Sequence, residues 1–156
     1  MEVLNHKILA EIDEIKTRYH DSRFCLLPVL YVFQKEYGWL SPEALETVGE
    51  ILNIPKATIK GVSTFYAMFS HKPTGRHLIQ LCTNVACMIM GGERLLDVLR
   101  EQYGLEPNIT TPDNRFSLVI MECIGACDTA PAMLVDTDFH GNLTGEKITA
   151  ILEQYK

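Results

Sequence analysis

The first seventy residues carry the apolar spacing of amphipathic helices. The clearest stripe has apolar side chains three or four positions apart and consists of Leu4, Ile8, Ile12, Ile15 and Tyr19. This spacing places them on one face of a helix, since an α-helix turns once in 3.6 residues. The stripe therefore predicts a helix that buries one side against neighbouring elements.

Helix start and stop signals divide the rest of this region. An apolar run over 26–37 ends at Gly38, a residue suited to terminate a helix. Ser41 followed by Pro42 supplies an N-cap and a first-turn proline, and Pro55 opens a further helical pattern. We therefore predict an N-terminal helical bundle over residues 1–70. Near the end of this segment, we expect Phe65 to pack internally rather than to face a partner protein.

The pattern changes after the turn cluster at residues 71–75. Short apolar runs then predict strands at 76–81, 116–122 and 133–136, with a possible fourth at 139–143. Helical periodicity predicts helices over 91–103 and 146–155. This order favours an α+β domain over residues 76–156, a small sheet packed with helices as in thioredoxin-like folds.

Charge and hydropathy exclude several classes of protein. The chain has 20 acidic and 14 basic side chains, a net charge of −6, so it lacks the basic surface of a nucleic-acid-binding protein. Most of the excess of acidic over basic side chains lies in residues 76–156, so a partner that docks there is expected to be basic. The apolar run over 25–33 is too short to cross a bilayer. The N-terminus also lacks the pattern of a signal peptide, which predicts a cytoplasmic chain without membrane insertion.

Four of the five cysteines form two close pairs. Cys82 and Cys87 are spaced C-x4-C, Cys123 and Cys127 are spaced C-x3-C, and each pair begins where a predicted strand ends. If the two strands are neighbours, four thiolates meet at one edge of the sheet, as an iron–sulfur cluster or a structural zinc ion requires. The spacing favours a two-iron cluster, because zinc sites usually repeat C-x2-C; zinc, or a redox or accidental arrangement, is the alternative. Cys25 lies among apolar residues and is expected to be a buried, inert thiol.

These motifs resemble one known family over nearly the whole chain. The matching stretches are 61–69 (GVSTFYAMF), 82–87 (CTNVAC), 123–127 (CIGAC) and 130–131 (AP). They resemble the thioredoxin-like [2Fe–2S] subunits of NADH-linked oxidoreductases, among them the small iron–sulfur subunit of respiratory NADH:quinone oxidoreductase (complex I).

The resemblance implies one [2Fe–2S] cluster on Cys82, Cys87, Cys123 and Cys127, which exchanges an electron with FMN on a partner flavoprotein subunit that also binds NADH. It further implies other iron–sulfur subunits in the same complex, a position at the cytoplasmic side of a membrane through that complex, and no catalysis by this chain alone. The same module occurs in NAD-dependent and electron-bifurcating hydrogenases and in formate dehydrogenases. The sequence agrees with this division of labour, because it has neither the G-x-G-x-x-G fingerprint nor a P-loop.

One charge next to the predicted ligands yields a further hypothesis. Asp128 directly follows Cys127. A negative charge there disfavours the addition of an electron, so we expect Asp128 to lower the reduction potential of the cluster.

Overall fold

The computed structural model describes residues 4–156 and divides the chain into two compact units. The first unit ends at Pro73 and the second spans Thr74–Lys156, so the division falls inside the turn cluster noted in the sequence. Whether the two units are independent domains with the bounds 1–70 and 76–156 stays a prediction.

The first unit is helical, and its helix ends follow the signals in the sequence. The helices are α1 (His6–Arg18), α2 (Leu26–Tyr37), α3 (Pro42–Leu52) and α4 (Lys56–Phe65), with a 3-10 turn at Ser22–Cys25. The hydroxyl of Ser41 accepts a hydrogen bond from the backbone N–H of Ala44 at the start of α3. Gly38 ends α2 with φ of 77°, a left-handed conformation that favours glycine.

The apolar stripe of α1 contributes to the core of this unit. Ile8, Ile12 and Ile15 are buried there with Val29 and Phe33 of α2. Leu4 packs against this core from its edge, whereas Tyr19 lies beyond the end of α1 and is exposed. The stripe therefore predicted the buried face of α1 but extended it one position too far.

The prediction that Phe65 packs internally is wrong. Its side chain is 80% exposed. Helix α4 turns Ile59 and Ser63 inward, four residues apart on one face. Phe65 is two positions beyond Ser63, about 200° around the helix, and therefore lies on the opposite face.

The second unit is a four-stranded sheet with three helices. Its strands are β1 (His77–Cys82), β2 (Phe116–Met121), β3 (Met133–Val135) and β4 (Asp138–His140), arranged in the order β2-β1-β3-β4. Its helices are α5 (Val85–Ile89), α6 (Gly92–Tyr103) and α7 (Gly145–Leu152). Strands β1 and β2 are parallel, whereas β3 is antiparallel to both β1 and β4.

The parallel pair requires a long connection, which α5, α6 and the turn after them provide. The core of the unit joins the sheet to its helices, with Ile79 and Leu118 from the strands, Leu99 from α6 and Ile148 from α7 all fully buried. Because β1 and β2 run in the same direction, their carboxyl ends reach the same edge of the sheet.

Within residues 4–156, no helix combines the length and apolar character needed to cross a membrane.

Candidate metal centre

Two parallel strands bring the cysteine pairs to one edge of the sheet. Cys82 is the last residue of β1, and its register partner is Met121, the last residue of β2. Cys123 follows Met121 by two positions. The expectation that both pairs begin at the ends of neighbouring strands is confirmed by this register.

The second cysteine of the first pair lies on a short helix that the sequence did not predict. Asn84 precedes α5, and its side-chain oxygen accepts a hydrogen bond from the N–H of Val85 at 2.8 Å. Helix α5 has only five residues, and Cys87 is its one buried side chain. The signal that could have located it is the capping residue Asn84 between two cysteines.

Gly92 allows α6 to approach this first pair closely. A Cβ atom on Gly92 would lie 2.8 Å from the carbonyl oxygen of Cys87 and 3.3 Å from that of Cys82. Real Cβ atoms do not approach backbone that closely, so only glycine fits at the start of α6 without a shift of the cysteine loop.

The second pair lies in an exposed loop after β2. Both Cys123 and Cys127 are exposed, and Cys127 begins a 3-10 turn at Cys127–Thr129. Gly125 lies between them with φ of 82°. Its backbone N–H donates a hydrogen bond to the Cys123 Sγ at 3.3 Å. One pair of thiols is therefore buried and the other faces solvent.

Small and apolar side chains cover the buried thiols. Ala130 forms a buried cluster with Cys82 and Cys87, and Ala86 and Ile124 pack against it. The bond between Ala130 and Pro131 is cis. This segment is held in place by backbone hydrogen bonds, from the Cys82 N–H to the Ala132 oxygen at 3.1 Å and from the Leu143 N–H to the Pro131 oxygen at 3.0 Å.

The two buried thiols have pKa values shifted in opposite directions. Burial raises the pKa of the Cys82 thiol, but hydrogen bonds from the backbone of Asn84 and Ile124 and from the thiols of Cys87 and Cys123 outweigh it, so this pKa lies below its usual value. Burial also raises the pKa of Cys87, and its interaction with Cys82 and the charges at Cys82 and Cys127 raise it further. The pKa values of Cys82 and Cys87 thus depend on each other and on the neighbouring Cys123 and Cys127.

The candidate donors are thiols, which are the ligands of an iron–sulfur cluster. All five cysteines are free thiols, and Cys25 is buried in the core of the first unit, whereas the other four belong to the second. Among residues 4–156, no three His, Cys, Asp or Glu side chains are spaced as ligands of one metal ion. A two-iron cluster divides its four thiolates two per iron, so it does not require three of them to converge on one point.

Comparison with known proteins identifies the family. A family model described as "Thioredoxin-like [2Fe-2S] ferredoxin" matches residues 12–156. The chain belongs to this family. The α+β fold and the thioredoxin-like [2Fe–2S] family expected from the sequence are thereby confirmed, whereas the assignment of the four cysteines as ligands stays a prediction.

Several curated relatives extend this thioredoxin-like [2Fe–2S] assignment over most of the chain. A Rhizobium meliloti (strain 1021) protein, named as a subunit of NADH-quinone oxidoreductase, is 42% identical over 146 residues, 94% of this chain and 87% of the relative. An Escherichia coli (strain K12) protein, also named as a subunit of NADH-quinone oxidoreductase, is 38% identical over 138 residues, 88% of this chain and 83% of the relative.

A solved structure provides a further comparison. A chain of an NAD+-reducing [NiFe]-hydrogenase in the air-oxidized state is 25% identical, with a TM-score of 0.71 over 84% of this chain. The present chain corresponds to 22% of the length of that hydrogenase chain.

Proposed function

We propose that this chain is an electron-transfer subunit of NADH:quinone oxidoreductase. It holds one [2Fe–2S] cluster on Cys82, Cys87, Cys123 and Cys127, and it exchanges an electron with the FMN of a partner subunit that binds NADH. The observation that carries the proposal is the parallel pairing of β1 and β2, which brings both cysteine pairs to one edge of the sheet in a member of a [2Fe–2S] family.

The surroundings of the cysteines suit an electron carrier, because one cysteine pair is buried and the other is exposed to solvent. When bound, the cluster supplies reversible uptake of one electron. Ala130, with Ala86 and Ile124, keeps water from the Cys82 and Cys87 side. Cys123 and Cys127 are exposed, so the electron enters and leaves on their side of the loop.

The chemistry on the nucleotide belongs to a partner. The sequence has no dinucleotide fingerprint or P-loop, so FMN and NADH are bound by the flavoprotein subunit and this chain is not catalytic alone. Other iron–sulfur subunits of the complex take the electron onward. The chain lies on the cytoplasmic side of the membrane as a peripheral part of that complex.

The equivalent subunit of an NAD-reducing hydrogenase is the second candidate, and the solved hydrogenase supports it. The curated relatives favour the quinone-reducing complex, because they are more similar and match this chain over most of their own length. A formate dehydrogenase subunit has no comparable support.

Two experiments test the proposal: metal analysis tests the cluster, and co-purification then tests the partner. The purified chain is expected to contain about two irons and two acid-labile sulfides. A colourless protein with bound zinc would instead make it a zinc-stabilised interaction module. Affinity purification from the native host should then recover an FMN-containing subunit, and recovery of a nickel–iron subunit would select the hydrogenase.

A further inference from the structure

Gly125 has a conformation that aims its backbone N–H at a cysteine sulfur. Its φ is 82°, and its N–H lies 3.3 Å from the Cys123 Sγ. A Cβ atom on Gly125 would meet no other atom within 4 Å. The position therefore favours glycine for its backbone conformation and not for space.

The backbone of this loop borders two of the predicted ligands. The backbone at Ile124 helps to lower the pKa of the Cys82 thiol, and the next N–H, that of Gly125, donates a hydrogen bond to the Cys123 Sγ at 3.3 Å. Cys123 is exposed, and this N–H is a donor that the backbone of the loop holds at its sulfur.

We propose that Gly125 is a positioning residue that raises the reduction potential of the cluster by holding its N–H on the Cys123 sulfur. This inference rests on the proposed function. Reduction adds one electron and no bond forms or breaks in the protein, so negative charge on the sulfur ligands increases. An N–H donor stabilises the more negative, reduced form more strongly than the oxidised form, because its hydrogen bond strengthens with the charge of the acceptor.

Substitution of Gly125 by alanine disfavours the positive φ that this position adopts. At positive φ an L side chain clashes with its own backbone, so Gly125→Ala turns the N–H away from the sulfur. Titration with dithionite as the one-electron donor should show a lower midpoint potential. A tenfold fall in the reduction equilibrium constant corresponds to about 59 mV for one electron.

Two further variants separate potential tuning from a general effect of the turn. Gly125→Asn should keep the potential near that of the wild type, because asparagine tolerates positive φ and already adopts it at Asn53, Asn108 and Asn142. Gly104→Ala is the matched control: Gly104 has φ of 64° and open space at its Cβ, but it ends α6 and bonds the Arg100 oxygen. Its potential should equal that of the wild type.

A spectroscopic measurement keeps the proposal testable if Gly125→Ala fails to retain iron. The reduced protein labelled with 15N-glycine should show 15N hyperfine coupling to the cluster, and Gly125→Asn should remove it. The proposal is overturned if this coupling is absent, or if an iron-loaded Gly125→Ala protein has the wild-type potential. It is also overturned if Gly125→Asn shifts the potential as far as alanine does. Absence of iron and sulfide from the wild type would overturn the proposed function as well.

Discussion

Gly92 lies against the carbonyl group of Cys87, so that a methyl group on Gly92 would be only 2.8 Å from the carbonyl oxygen. Since Cys87 is on α5 and Gly92 begins α6, the contact sets how closely α6 packs on the cysteine loop. The absence of a side chain at Gly92 thus affects the position of a predicted ligand five residues away.

Gly92→Ala should destabilise the protein and reduce its iron content. The added methyl group forces the backbone of the cysteine loop to move, and overpacking of this kind costs about 1–3 kcal/mol. Urea unfolding and iron content per chain measure the two effects. Gly61→Ala is the control, because Gly61 lies in α4 with nothing within 4 Å of its Cβ and should gain about 0.5–1 kcal/mol from helix propensity. If Gly92→Ala and Gly61→Ala had equal free energies of unfolding and equal iron contents, the steric argument would be contradicted.

Cys82→Ser should abolish the visible absorption of the cluster. Serine oxygen is a poorer ligand for iron in such a cluster than thiolate, and Cys82 is buried at the end of β1. Iron and sulfide analysis of the purified variant provides the measurement. Cys25→Ser serves as the comparison, since Cys25 is buried in the helical core and its variant should keep a full cluster even if it is less stable.

Asp128→Asn should raise the midpoint potential of the cluster. Asp128 is exposed in the 3-10 turn that begins with Cys127, and removal of its charge favours the added electron. Solvent screening at an exposed site keeps the shift small. Redox titration at low ionic strength gives the clearest reading, with Glu101→Gln, an exposed charge in the second half of α6, as the control. An unchanged potential in Asp128→Asn would reject the electrostatic effect.

Tyr155 should stabilise the protein at neutral pH and lose this contribution at alkaline pH. Burial, together with the hydrogen bond that its hydroxyl donates to Asp138 at 2.8 Å, raises the pKa of Tyr155 to about 12 from a usual value of 10.0. The folded state therefore retains the proton that the unfolded chain loses, and the stabilisation is complete below pH 10 and disappears as the pH rises towards 12.

The free energy of unfolding measured by urea between pH 9 and pH 12, roughly the interval in which the proton is lost, checks this behaviour. Tyr155→Phe should flatten the fall relative to the wild type, whereas Tyr19→Phe, at an exposed position, should leave it unchanged. If the free energy of unfolding fell equally with pH in the wild type and in Tyr155→Phe, the predicted role of Tyr155 would be contradicted.

Local signals in the sequence were enough to place most helix ends. Ser41 caps α3, and Gly38 ends α2, as their positions in the sequence predicted. Such signals act within one turn of the chain, so they are independent of distant contacts. Helix α5 escaped prediction because five residues are too few to show a helical period.

The sequence by itself determined which residues are available as ligands: two pairs of cysteines, each just after an apolar strand, within a recognisable family pattern. The tertiary structure decided that β1 and β2 are parallel neighbours, that Cys82 and Cys87 are buried while Cys123 and Cys127 face solvent, and that Phe65 points outward. Strand pairing and burial depend on contacts between residues far apart in the chain, and local spacing does not contain that information.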